Sequence, residues 1–436
     1  GNFIGTNAAG TIARGNTVGI RVESSGNLIG GSTPGARNLI SGNGAYGLEI
    51  TGAAAIDNSV KGNYIGTNKA GAAQLRNVSH GVIVIDGADN TIGGTTAGDR
   101  NVVSGNGDDG IKLLGPVGGN VVQGNYIGTD AAGTADVGNE AYGITLDKSI
   151  NPLIGGTVAG ARNVISGNTY AGVEFIHTEG GRVQGNLIGT RADGTGDLGN
   201  GRIGVFILAS DVVIGGSGSA GNVISGNGDH GVWIQYSSYT GNQVLGNVIK
   251  LNEFNGVHSM SDETLVQGNL IFSNGFDGVH VHSNSQGTRI TANQIYGNGE
   301  LGIDIQGGTE NAAGVTSNDT DDPDTGANNR QNFPVLTGAT RSNATGLTTV
   351  TGTLNSNPGT EFRIELFMAV ADASGSGEGQ VPLAALTITT NSGGDKGFAF
   401  ASGAWPVGMV LTATATSTTA GNTSEFSVNR TVMPGP

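Results

Sequence analysis

Three histidines and an aspartate stand at matching places near the end of a run of short repeats. They are His258 in Gly256-Val-His-Ser, His280 in Gly278-Val-His-Val with His282 close behind, and Asp304 in Gly302-Ile-Asp-Ile. Copies stacked as neighbouring strands put such side chains about 5 Å apart, within reach of a shared metal or a proton relay. A solvated polar ladder is the plainer alternative. The same position in earlier copies carries Arg21, Glu49, Ile83, Lys112, Thr145, Glu174, Phe206 and Trp233. Glu174 joins the histidines and Asp304 as a catalytic candidate, and Phe206 and Trp233 are candidates to stack on sugar rings. With Ile83, Ile85, Leu114, Ile176 and Leu208 they form an outward apolar group. Such a group suits cover by the chain's own loops or a protein partner as well as a saccharide.

A second constellation lies further on, in Asn318-Asp319-Thr-Asp321-Asp322-Pro-Asp324-Thr-Gly326. Alternating Asp319, Asp321, Asp322 and Asp324 before a turn glycine resemble a calcium loop, although the full EF-hand pattern is absent. Calcium is the one cofactor expected; an ordinary acidic turn is the alternative.

These residues need a scaffold that brings distant copies together. An Asn, three variable residues, a Gly and a branched aliphatic recur from Asn43/Gly47 to Asn298/Gly302, 22 to 34 residues apart. Each Gly opens an alternating run, so every second side chain shares one face of a strand. Recurrence at this period marks a solenoid with one copy of each strand per coil. Three aliphatic clusters per coil predict three strands, and about eleven coils fit before Glu310. Blocks of Gly-Asn-x-Ile-Gly-Thr start at Gly1, Gly62, Gly124 and Gly185, so the larger unit is a pair of coils. After Asn242 the coils shorten to 22–24 residues, which points to loop insertions in the earlier ones. The recurring Asn side chains can accept from one coil and donate to the next, making a ladder at strand spacing.

Glycine is 81 of 436 residues but follows no three-residue period, which excludes collagen. The formal net charge of −15 and the lack of a Lys/Arg run exclude a nucleic-acid backbone as partner. With no cysteine there is no disulfide, thiol nucleophile or zinc-thiolate site. No apolar run approaches the roughly 18 residues of a membrane span.

The blocks Arg37–Asn43 and Arg162–Asn168 (RNxISGN), the GNxIGT blocks and the NxxxGV strands resemble bacterial right-handed parallel β-helix repeat proteins of the pectate-lyase-like superfamily. That resemblance covers about 70% of the chain and implies an all-β fold. The family holds lyases, hydrolases, epimerases, adhesins and passive spacers. The chain departs from its pectate lyases, since no acidic set on one sheet face reproduces their calcium-plus-basic-residue arrangement. Nor does a carboxylate pair announce a glycosidase.

The expected organisation is a parallel β-helix over residues 1–310, an acidic linker over 311–332 and a sandwich over 333–436. Seven alternating segments from Val335 to Val432 predict a small antiparallel β-sandwich. It resembles immunoglobulin-like modules of secreted bacterial proteins, without the Cys–Trp–Cys core.

The function expected is a bacterial structural or adhesive solenoid, extracellular or on the cell surface. Its partners are further copies of itself, end to end or laterally, or a cell-surface polysaccharide. Gly1-Asn2-Phe3-Ile4 matches the middle of a GNxIGT block, so an uncapped first coil favours filaments. The alternative is a polysaccharide lyase, hydrolase or epimerase working along the glycine-strand face.

Overall fold

Alternation in the glycine-opened runs sends every second side chain inward. Leu48 and Ile50, Val82 and Val84, Ile111 and Leu113, and Ile144 and Leu146 are all fully buried. Each aligns with its copy one coil on, as in Ile111↔Ile144 and Leu113↔Leu146, and the pairing is parallel. The computed structural model describes residues 1–370 and 374–435. Three parallel sheets of 11, 11 and 10 strands result, and consecutive strands of the chain go to the three sheets in turn. The glycine-strand sheet runs from Ile20–Val22 to Ile303–Ile305. Among the described residues there is no α-helix, only 3-10 turns.

Two compact units divide the chain: Gly1–Trp233 with Leu245–Val248, and Ile234–Val244 with everything from Ile249 on. In the first unit the expected asparagine ladder is present. The amides of Asn43, Asn77, Asn106, Asn139, Asn168 and Asn200 each donate to the next, ending on Asn227, at 2.8–3.0 Å. Their burial is almost complete, and this relay supplies the partners that buried amides require. Glycine serves two separate needs here. Gly128 turns a corner with φ +84, which disfavours any side chain. Gly110 has no such φ, but an added Cβ there would lie 2.7 Å from the Asn139 amide and from the Gly143 carbonyl oxygen. The repeated glycine thus lets the ladder and the strand pack closely.

The second unit contains the last coils, the acidic segment and two four-stranded sheets. One sheet orders Asp395–Gly403, Thr348–Asn355, Val335–Arg341 and Met433–Pro434. The other orders Glu378–Thr389, Glu361–Val370, Val410–Ser417 and Arg430–Thr431. Phe362, Ile364, Leu366, Val350, Leu411 and Phe400 fill the core between them. The last of the seven expected segments, Glu425–Val432, does not form as one strand; only Arg430–Thr431 pairs. Glu425 and Phe426 turn instead toward the last coil, and Phe426 lies over Gly302.

That turn is part of a cap. A parallel β-helix leaves the N–H groups of its final coil unpaired, and an open edge invites association. Here side chains from downstream accept them. Asn422 takes Gly287, Asn328 takes Thr288, Thr423 takes Ile290 and Glu365 takes Ala292. Glu378 takes Gly297 and Asn298, and also the Asn298 amide at 2.8 Å, ending an asparagine ladder on a carboxylate. Glu425 takes Ile305 at 3.1 Å. Among the described residues, these backbone donors of the last coil are thus engaged within the chain.

Candidate functional site

In the first unit the outward row of the glycine-strand sheet is built by register. Lys112 pairs with Thr145, Thr145 with Glu174, and Glu174 with Phe206. Phe206 and Trp233 follow one another at 5.2 Å between ring centroids, and His230 meets Trp233 edge-on. The row is more sheltered than an outward position suggests. Glu49, Ile83, Thr145 and Glu174 are buried, while Phe206 and Trp233 are half-buried.

Beside it runs a second row, formed by the residue just before each glycine. Gly47 N–H bonds the His80 carbonyl, Gly81 that of Asp109, and Gly110 that of Tyr142, so Tyr46, His80, Asp109 and Tyr142 stack. The two rows meet at Glu174. Burial pushes its carboxyl up to about 7, with Asp109 adding to the rise against a hydrogen bond from Tyr142. Asp109 is pushed up to about 6 by burial and by Asp108. The Tyr142 hydroxyl is driven well above its usual range by burial and by Glu174. Two carboxyls that change protonation near neutrality, with Lys112 alongside, can give and take protons at working pH.

At the upper end of this second row, His80 stacks flat on Tyr46, at 5.6 Å and 3°. Its Nδ1 faces Asp109 Oδ2 at 3.5 Å and Asp108 Oδ2 at 3.6 Å. Burial pushes the imidazole down against the pull of Asp108, toward the neutral form.

In the second unit the expected histidine cluster assembles and gains a member. His280 aligns with His258 and Asp304, and the two rings stack at 4.8 Å. His280 Nδ1 meets Asp304 Oδ2 at 2.7 Å and Asp277 Oδ2 at 3.0 Å. Burial opposes its charge, yet Asp277 and Asp304 outweigh that and raise it to about 9, an imidazolium at neutral pH. Asp277 is fixed by a hydrogen bond from Leu301 N–H. His282 lies 6.1 Å from His258 and outside this contact. A cavity of about 620 Å³ opens beside Asp277, Asp304 and Glu300.

The acidic segment converges only in part. Asp319, Asp322 and Asp324 bring one carboxylate oxygen each within 4.8 Å of the others. Asp321 faces Asn355 instead, with its N–H on the Asn355 side chain at 2.7 Å. Gln331, Asn332 and Ser356 all donate to Asp322 Oδ2, whereas Asp322 Oδ1 and Asp324 Oδ1 are buried without a hydrogen-bond partner among the described residues. Burial pushes Asp322 up to about 6. Arg330 approaches Asp324 at 3.7 Å.

His80, Asp109, Tyr142 and Asp277 escape a reading that follows only the alternation after the glycine. The signal was available in the position before it, which carries Tyr46, His80, Asp109, Tyr142, His230 and Asp277.

Residues 197–333 match the family model described as right handed beta helix region. The repeat is a right-handed parallel β-helix. No curated protein matches the chain. Among solved structures it is similar to the A-module of mannuronan C-5 epimerase AlgE6 from Azotobacter vinelandii, at 17% identity and TM-score 0.35 over 65% of this chain and 67% of that one. A periplasmic alginate epimerase, AlgG, matches at 13% and 0.32 over 62% and 66%. Tailspike protein 2 of an Escherichia coli O157:H7 bacteriophage matches at 10% and 0.35 over 90% and 65%. The chain thus spans about two thirds of the length of these proteins.

Proposed function

We propose that the protein works on an extended polysaccharide laid along the outward face of the glycine-strand sheet, with Glu174 carrying the proton. The observation that carries this reading is one of register. A buried carboxyl stands directly beside an aromatic pair, Phe206 and Trp233, on a continuous sheet face. Aromatic faces hold sugar rings without fixing their sequence, and the neighbouring carboxyl then meets the chain at a set place. Hydrolase, lyase and epimerase chemistry all need such a proton carrier, and Tyr142 and Lys112 stand ready to assist it. An extracellular or periplasmic setting goes with a substrate of this kind. The binding half is tested by titrating neutral and uronate oligosaccharides into a Trp405→Phe background and following Trp233 fluorescence. Phe206→Ala should weaken binding roughly tenfold, the equivalent of about 1.4 kcal/mol. Equal affinity in the two proteins would remove the platform.

A second reading concerns the acidic segment, and the two unpartnered oxygens of Asp322 and Asp324 favour it. Calcium held by Asp319, Asp322 and Asp324 would satisfy both, and its binding to the folded form alone would stabilise that form. Millimolar calcium should raise the thermal midpoint over that in EDTA, and Asp322→Asn should abolish the rise. Identical melting in calcium and EDTA would count against the site.

A further inference from the structure

We propose that His80, Asp108 and Asp109 form a binding site for one first-row divalent metal ion of the zinc or manganese class. Two His–Asp–Asp clusters lie among the described residues, and their spacings separate them. Around His280 the imidazole-to-carboxylate distances are 2.7 and 3.0 Å, the lengths of direct charge-assisted bonds. That cluster is closed upon itself. Around His80 the distances are 3.5 and 3.6 Å, longer than a good N–H···O bond. Two donors each about 2.0–2.2 Å from a tetrahedral ion stand roughly 3.3–3.6 Å apart, which matches.

A second observation points the same way. His80 is 8% exposed, yet its Nδ1, aimed between the two carboxylates, has no hydrogen-bond partner among the described residues. A buried imidazole nitrogen in that condition calls for a partner. The donors are also held in place. Tyr46 fixes the ring by stacking, and the Tyr142 N–H bonds the other oxygen of Asp109 at 3.3 Å. Asp108 is 45% exposed at its side chain, so the ion would keep an open side, as in sites that activate water or polarise a ligand. One nitrogen among the three donors selects against calcium, which takes oxygen.

The test is calorimetric titration of the EDTA-treated full chain with zinc, manganese or calcium chloride at neutral pH. No saccharide is present, so the result stands apart from the polysaccharide reading. One zinc or manganese site that calcium does not fill is expected, apart from any ion taken up by Asp319, Asp322 and Asp324. Its affinity should fall at least about tenfold in Asp108→Asn, whose exposed position spares the fold, and in His80→Asn. His280→Asn and Glu174→Gln should keep it. Absence of zinc and manganese binding would overturn the proposal. So would binding unchanged by Asp108→Asn, or loss in His280→Asn instead.

Discussion

Glu174 shows how position on a repeat and burial combine to give one side chain a distinct chemistry. The same column offers a lysine, a threonine and aromatics, but Glu174 alone is a buried acid beside Tyr142. Its carboxyl moves from 4.5 to about 7 on folding. Between those values the folded chain holds a proton that the unfolded chain has released, so stability falls as pH rises through this window. Below it the two states bind the proton alike and nothing is lost. Asp109, moved from 3.8 to about 6, steepens the same decline. Thermal midpoints measured from pH 4 to 8 should therefore drop less steeply in Glu174→Gln than in the wild type. Parallel curves would show that Glu174 titrates alike in both states. The alternation placed Glu174, Phe206 and Trp233 on one face from sequence alone. It did not reveal that this face is sheltered, because the cover comes from residues outside the strand. Nor did it reach Tyr142, Asp109 and His80, which precede the glycine and so read as turn residues.

Among elements, the coils were legible because each repeats the same three-strand pattern, down to the asparagine that relays hydrogen bonds to the next. The cap was not, because it has no repeat and joins residues far apart in sequence, such as Asn298 and Glu378. Seven alternating segments suggested the two sheets, but nothing in their period said that Glu378, Thr423 and Glu425 would accept backbone donors from the last coil. Glu378→Ala should expose this contribution, since the N–H groups of Gly297 and Asn298 lose their acceptor. An unpaired buried donor costs about 1–3 kcal/mol, and with Gly297 exposed and Asn298 half-buried a loss near the lower end, about 1 kcal/mol, is expected in chemical unfolding. A change within about 0.5 kcal/mol, the level of an ordinary surface substitution, would deny the cap a structural role. The opened edge should also make this variant more prone to self-association than the parent, which sedimentation would register.

At the scale of the whole molecule, the sequence announced architecture far more clearly than activity. Glycine, asparagine and branched aliphatics set the β-helix at every coil, whereas the chemistry depends on a few positions where the repeat tolerates any outward residue. The central claim is that Glu174 carries a proton in the conversion of a polysaccharide. It is tested most directly by incubating wild type and Glu174→Gln with a panel of neutral and uronate polysaccharides and following both by proton NMR. The account predicts new product signals from at least one polymer with the wild type, and a rate lower by roughly 10²–10⁴-fold in the variant. A panel left unchanged by the wild type, or converted equally fast by both proteins, would contradict it.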